Sequence, residues 1–230
     1  MLFGPGGFVI FIIAVALGLI TQAYVNGAYR RNSARPLPAG LVGSQVARRV
    51  LDAEGLQNVS IELVEGRLTD HYDPRSDVLR LSRDVYYGGH VAAAGVAAHE
   101  AGHAVQHARG FIAAKMRMSL VPVASLGSQA GPLLVMFGLI FGVGGQFSQL
   151  LINAGIVLFA GAVLFQLVTL PVEFDASRRA LTALTSTGSV ISGDEAGARQ
   201  VLTAAALTYV ASALISVLYL LQFIGLGRRD

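Results

Sequence analysis

Long uncharged segments divide the chain, and their lengths predict helices that span a membrane. Residues 8–25 carry no charge, and a helix of that length covers most of a hydrocarbon core about 30 Å thick. No charged residue occurs between Arg117 and Glu173, a stretch that fits two spans. The turn between them is predicted at Gly142, Gly144 and Gly145. Together with the uncharged residues 202–226, the pattern predicts four transmembrane helices.

Flanking residues predict how the first and last of these helices are bounded. Arg30 and Arg31 follow the first segment and nothing basic precedes it, which favours an uncleaved anchor over a signal peptide. Ser192 and Glu195 have the spacing of a capping box ahead of the last segment. A helix is therefore predicted to start there.

The polar region between the first two spans predicts a small α+β module. Residues 43–54 place apolar side chains on one helical face and stop before Gly55, as an amphipathic helix does. Residues 91–106 are rich in alanine. They predict a second helix with little side-chain bulk, able to pack closely against its neighbours.

Three short segments of the same region predict β-strands. Residues 58–65 alternate between apolar and polar side chains, which is typical of a strand. Residues 68–72 and 78–82 flank Asp73 and Pro74, and this arrangement predicts a hairpin. The edge of the strand at residues 78–82 is a candidate for binding an extended peptide by strand addition.

Composition places the chain among membrane proteins. Hydrophobic residues make up 53% of the chain and charged residues 13%, and the mean hydropathy is +0.59, which is too apolar for an ordinary soluble domain. We therefore predict a mainly α-helical, multi-pass protein of the cell membrane, with the lipid bilayer as a partner. The basic residues are scattered, so the net charge of +3 does not indicate nucleic-acid binding. No pattern points to a particular oligomeric state.

The distribution of basic residues predicts the orientation in the membrane. Twelve of the 17 Lys and Arg lie between residues 26 and 118, and the predicted turn between the second and third spans has none. The positive-inside bias therefore places the polar module in the cytoplasm. Arg228 and Arg229 oppose this orientation, because a complete fourth span would put them outside.

A pair of histidines on the alanine-rich helix predicts a metal site. The chain has no cysteine, so His, Asp and Glu are its strong metal ligands. His99 and His103 lie one helical turn apart on one face, where both can reach a single zinc ion. The alternative is a helix with ordinary polar residues on a solvated face, but polar groups in a small, apolar helix are costly unless something binds them.

Glu100 lies between the two histidines and has a separate predicted role. Next to the metal but not bound to it, its carboxylate can act as the general base that takes a proton from zinc-activated water. This is the His-Glu-x-x-His arrangement of zinc peptidases. The longer zinc-peptidase signature is excluded, because Gln106 and Arg109 stand where it requires glycine and histidine.

A catalytic zinc site needs a third protein ligand, and two residues are candidates. His107 lies one turn farther along the helix, where its bond to the ion would be stretched. Glu173 is the first charge after the long uncharged stretch, where an ionisable group needs a partner. The alternative for Glu173 is an interfacial ion pair with Arg178 or Arg179.

Three further polar residues have open roles. Asp175 is predicted to pair with a nearby arginine or to orient a metal ligand from outside the metal's own shell. His71 and His90 either stabilise the oxyanion of the tetrahedral intermediate or are solvated histidines beside turns.

Several motifs resemble the YugP-type neutral zinc metallopeptidases of bacterial membranes, over nearly the whole chain. These motifs are Asp70-His71-Tyr72-Asp73-Pro74-Arg75, Val78-Leu79-Arg80-Leu81-Ser82, residues 95–107 and Leu170-Pro171-Val172-Glu173-Phe174. The chain is more distantly similar to the HtpX and CAAX-prenyl protease group, in which a glutamate after a membrane span completes the site of a two-histidine helix. The resemblance implies that Glu173 is the third zinc ligand. It departs at Ser177, where the wider group has an aspartate.

Together these patterns predict a zinc metalloendopeptidase with one Zn²⁺ per chain, acting on a peptide or membrane-protein substrate. The alternative is a non-catalytic membrane scaffold that retains a structural zinc site, and membrane-protein quality control is an expectation by analogy alone. The predicted parts are a first transmembrane helix (residues 1–28), a small cytoplasmic α+β zincin-like module (29–118), a transmembrane hairpin (119–172), a segment completing the zinc site (173–200) and a fourth transmembrane helix with a tail (201–230).

Overall fold

A computed structural model describes residues 5–142, 145–191 and 193–227, which are mostly helical. The helices are α1 (Pro5–Ser33), α2 (Gly43–Ala53), α3 (Arg83–Tyr86), α4 (Val91–Ala108), α5 (Ile112–Ile140), α6 (Gln146–Ser186) and α7 (Glu195–Gly227), with a short 3-10 helix at Pro38–Gly40. The strands are β1 (Ser60–Val64), β2 (His71–Asp73) and β3 (Val78–Ser82).

Four helices in this part of the chain are long and apolar enough to span a bilayer, namely α1, α5, α6 and α7. This confirms the number predicted from the uncharged segments. The helices extend beyond those segments, because a charged side chain ends the apolar pattern without ending the backbone hydrogen bonds. Glu173 therefore lies inside the unbroken helix α6, which continues to Ser186.

The chain divides into two compact units. The described residues of the first unit are 5–21, 115–171 and 208–227. In this unit α5 and α6 approach closely at glycines, since a Cβ added at Gly138 would lie 2.8 Å from the carbonyl oxygen of Ser148. Small residues permit such close packing between apolar helices. Val135, Phe159 and Phe223 belong to the buried apolar cluster of this unit.

Some predicted features lie partly or wholly outside the described residues. Gly142 follows α5 with φ of +96°, a conformation that favours glycine, so the predicted turn begins there. Helix α7 begins at Glu195, two residues later than a cap at Ser192 would place its start, because Gly193 has φ of +102°, outside the helical region. Outside the described residues lie Gly144, Ser192, Arg228 and Arg229.

The second unit comprises Gln22–Ala114 and Val172–Leu207 and contains the predicted α+β module. The apolar face of α2 (Val46, Val50 and Leu51) is buried in the same core as Leu79 and Leu81 of β3 and the alanines of α4. The two helices predicted in this region are therefore confirmed, with α4 ending two residues later than expected. Close packing of α4 follows from its many alanines, which leave room for neighbouring backbones.

The three strands form one sheet in the order β1-β3-β2. β1 runs parallel to β3 and β2 antiparallel to it, so the predicted hairpin is confirmed. Its first strand starts at His71 rather than at residue 68, because Leu68 adopts φ of +58°, which an extended strand does not permit. The prediction that residues 78–82 offer a free edge is wrong, because β3 is the central strand of the sheet.

Candidate metal centre

His90 starts the helix that carries the two predicted histidine ligands. Its Nδ1 accepts a hydrogen bond of 3.1 Å from the backbone N–H of Ala93, which satisfies one of the unpaired donors at the start of α4. His90 thus acts as the N-cap of α4, a role that the sequence analysis did not consider for it. The residue type does not predict this role, because the role depends on the side-chain rotamer of His90 and on the turn that precedes the helix.

A close crossing brings α4 and α6 together beside the histidines. A Cβ added at Gly102 would lie 2.8 Å from the carbonyl oxygen of Ala176, so the two backbones nearly touch there. Glu173 precedes Ala176 by three residues on α6, and His99 precedes Gly102 by three residues on α4. The crossing therefore places the turn of α4 that contains His99 next to the turn of α6 that contains Glu173.

The predicted ligands meet at this crossing. The Nε2 atoms of His99 and His103 lie 3.1 Å and 3.7 Å from Oε2 of Glu173. One ligand atom from each of the three residues lies within 4.8 Å of the others. The side chains are 12%, 16% and 2% exposed, in the order His99, His103 and Glu173. The structure thus brings the three residues into one largely buried cluster.

The donor set fits a zinc ion. Two imidazole nitrogens and one carboxylate oxygen are a known donor combination of catalytic zinc sites. At bond lengths of about 2.0–2.2 Å, tetrahedral geometry separates neighbouring donor atoms by roughly 3.3 Å. The separations of 3.1 Å and 3.7 Å between nitrogen and oxygen lie on either side of that value. A small shift of the side chains would therefore accommodate the ion.

The far nitrogens of both rings have partners of their own. Nδ1 of His99 lies 3.2 Å from the hydroxyl of Ser177, and Nδ1 of His103 lies 3.0 Å from Oε1 of Gln106. Such contacts orient the rings so that the Nε2 atoms point to the centre. Sequence reasoning missed Gln106 as a functional residue, although its position three residues after His103 places the two side chains on neighbouring parts of the helix.

Asp175 pairs with both nearby arginines, as one of its two predicted roles required. Its carboxylate accepts from Arg178 and, at 2.6 Å, from Arg179. It also accepts from Nε2 of Gln106 at 3.0 Å. Asp175 therefore combines its two predicted roles, since it reaches His103 through Gln106.

Glu100 lies next to the cluster with a carboxylate that is free to accept a proton. In the described part of the chain it makes no hydrogen bond or ion pair. Burial raises its pKa, and this effect outweighs the neighbouring histidines, which lower it. Burial alone would lower the pKa of His103, but its contact with Glu173 and the two glutamate charges outweigh burial and raise it. Both shifts favour the protonated forms of Glu100 and His103.

The two other histidines lie outside the cluster. His107 is exposed, and its Nδ1 lies 2.8 Å from the hydroxyl of Tyr72, which itself donates to Asp77 at 2.6 Å. His107 thus ties the end of α4 to the hairpin. His71 is exposed, with its Nδ1 at 2.7 Å from the carbonyl oxygen of Thr69, which matches the interpretation as a solvated histidine beside a turn.

Comparisons with known proteins find a matching family and a similar protein. A family model described as "Putative neutral zinc metallopeptidase" matches residues 7–228. The "Putative membrane protease YugP" of Bacillus subtilis (strain 168) is 46% identical over 217 residues, which cover 94% of this chain and 94% of the relative. No solved structure matches the chain. The four apolar helices, together with the name of that relative, indicate an integral-membrane protein. The chain therefore belongs to the "Putative neutral zinc metallopeptidase" family.

Proposed function

We propose that this protein is a membrane-bound zinc metalloendopeptidase that hydrolyses peptide bonds in peptide or membrane-protein substrates. The observation that carries the proposal is the convergence of donor atoms from His99, His103 and Glu173 within 4.8 Å, beside the carboxylate of Glu100. These three residues would hold one Zn²⁺ per chain. Three protein ligands leave a fourth position for water or substrate, as catalytic zinc sites require.

Residues of this chain would transfer the proton and orient the metal ligands during hydrolysis. When bound, zinc acts as a Lewis acid that lowers the pKa of water toward about 7. Glu100 accepts a proton from the attacking water and passes it to the leaving nitrogen. Ser177 contacts Nδ1 of His99 and Gln106 contacts Nδ1 of His103, and both contacts orient the rings.

The site is proposed to face the cytoplasm. This assignment rests on the basic residues between positions 26 and 118, which the positive-inside bias retains on that side. In this proposal residues 29–118 form the zincin-like module and residues 173–200 complete its zinc site. We extend the proposal to membrane-protein quality control, because an endopeptidase that is itself embedded in the bilayer has membrane proteins within reach.

The test is whether hydrolysis depends on zinc. Full-length protein in detergent would be assayed on casein before chelation, after chelation and after zinc is returned. We expect activity to disappear with the metal and to recover when it is restored. The competing function, a scaffold with a structural zinc site, predicts zinc binding with no hydrolysis in any of the three samples.

A further inference from the structure

Gln106 is a buried amide whose polar atoms all have partners. Its side chain is 1% exposed. Its Oε1 lies 3.0 Å from Nδ1 of His103. Its Nε2 lies 2.7 Å from the carbonyl oxygen of Val172 and 3.0 Å from Oδ2 of Asp175. The residue therefore links a proposed zinc ligand on α4 to the backbone and a carboxylate of α6.

The partners of Gln106 determine which way its amide points. Both groups near its Nε2 are acceptors, one a main-chain carbonyl and the other a carboxylate held by Arg178 and Arg179. Only the NH₂ end can donate to them. The carbonyl end, which can accept but not donate, must then face His103.

This orientation forces the hydrogen position on His103. Since the oxygen of Gln106 can only accept, Nδ1 of His103 must carry the hydrogen. In a neutral imidazole the other nitrogen then keeps its lone pair. That nitrogen, Nε2, is the atom that faces Glu173, and it is in the form that binds a metal.

The tautomer of His99 is less constrained than that of His103. Nδ1 of His99 lies 3.2 Å from the hydroxyl of Ser177. A hydroxyl can donate or accept by rotating about its C–O bond, so this contact is compatible with either tautomer. The two ligand histidines thus differ in how firmly their surroundings impose the metal-binding form.

We infer that Gln106 is a positioning residue that locks His103 in its zinc-binding tautomer, and that Asp175 with its two arginines holds Gln106 in place. The inference rests on the proposed zinc site. Partners of metal ligands typically change metal affinity by about 10–100-fold when they are lost. We expect a loss in that range for Gln106 and a much smaller one for Ser177.

The experiment measures zinc dissociation constants of the full-length protein in detergent, by competition with a chromophoric chelator. Gln106→Met keeps a side chain of similar length and volume but removes the acceptor and both donors. We expect its dissociation constant to rise about 10–100-fold. Ser177→Ala removes the contact on the other histidine and should raise the constant less than Gln106→Met does, because a hydroxyl is compatible with either tautomer. Gln57→Met makes the same substitution at an exposed position outside the cluster, and as the matched control it should leave the constant unchanged. Thermal unfolding of the zinc-free proteins shows that each variant is folded.

A rescue variant separates positioning from packing. Gln106→Glu, with a protonated carboxyl group that still donates to the carbonyl oxygen of Val172, is combined with Asp175→Asn. Position 106 then still accepts from His103, and position 175 now donates. We expect this double variant to bind zinc at least about tenfold more tightly than Gln106→Met. If Gln106→Met does not fold, the double variant becomes the test of the inference. We then expect its zinc affinity to lie within about tenfold of that of the parent.

Two results would overturn the inference. One is Gln106→Met binding zinc as tightly as the parent, and the other is a folded double variant that binds as weakly as Gln106→Met. Neither result affects the proposed peptidase activity, which depends on hydrolysis by the zinc-loaded parent. A parent protein that binds no zinc would overturn both.

Discussion

His99 and Glu173 are 74 residues apart in the chain, and yet Nε2 of His99 lies 3.1 Å from Oε2 of Glu173. Helix α4 supplies two nitrogens, which leave a catalytic zinc site one protein ligand short. In the proposed zinc site, the oxygen that completes the ligand set comes from helix α6. The centre therefore depends on the packing of two helices as much as on the motif of one.

Replacing the distant ligand should remove zinc. Glu173→Gln leaves a neutral amide, a poorer zinc ligand than a carboxylate, between the two histidines. We expect its zinc affinity to fall by more than the roughly 10–100-fold typical of losing an outer partner. The measurement is zinc per chain after dialysis against a weak chelator. Glu65→Gln, at an exposed position outside the cluster, should retain the zinc content of the parent. Full zinc retention in Glu173→Gln would contradict the assigned ligand set.

Two glycines on α4 should respond in opposite ways to alanine. At Gly102 the new Cβ would lie 2.8 Å from the carbonyl oxygen of Ala176, so α4 and α6 must move apart. We expect Gly102→Ala to lower the free energy of unfolding by about 1–3 kcal/mol and to weaken zinc binding. At Gly95 the nearest atom, in Ala198, is 3.8 Å away, an ordinary contact.

Gly95→Ala is therefore the matched control for this crossing. Because alanine is a better helix former than glycine, it should raise the free energy of unfolding by roughly 0.5–1 kcal/mol and leave zinc binding unchanged. Thermal unfolding of the zinc-free variants and their zinc dissociation constants provide the comparison. Equal effects of the two substitutions would show that the close crossing does not position the site.

The cap of α4 should make stability depend on pH. Burial lowers the pKa of His90, outweighing the nearby Asp84 charge, which raises it. In the unfolded chain His90 is protonated at about pH 6.5, whereas in the folded protein its protonation requires a lower pH. Protonation of Nδ1 also breaks the hydrogen bond to Ala93. The contribution of His90 to the free energy of unfolding is therefore fully present above about pH 6.5 and is lost as the pH falls.

His90→Asn tests this dependence. Asparagine keeps an acceptor that caps helices well and does not titrate in this range. Between about pH 7.5 and about pH 5.5, the variant should lose less unfolding free energy than the parent. All other residues are the same in the two proteins, so the difference between the two curves reports His90. Parallel curves would exclude a titrating cap at this position.

Local patterns in the sequence were enough to predict the long helices and the first two members of the cluster. Uncharged segments identify the four long helices because a bilayer core excludes charge. His99 and His103 are recognisable because a spacing of four residues places side chains on one helical face. Glu173 was a candidate from its position after an uncharged stretch, and from the resemblance to known peptidases. Its distance to the histidines depends on a helix crossing that no local pattern encodes.

Most features that sequence reasoning missed depend on tertiary contacts. The order β1-β3-β2 places the third strand at the centre, and nothing within residues 78–82 indicates which neighbours the strand has. His107 beside Tyr72 and Gln106 between two helices are roles set by partners distant in the chain, whereas His90 caps α4 through a local contact that depends on its side-chain rotamer. Residue type and spacing restrict such roles but do not decide among them.

The most direct test of the central claim compares the parent with Glu100→Gln for zinc content and casein hydrolysis in matched samples. We predict one zinc per chain in both proteins, with hydrolysis reduced by roughly 10²–10⁴-fold in the variant, because the amide cannot accept the proton of the attacking water. Equal hydrolysis in the two proteins, or a parent without zinc, would contradict the account.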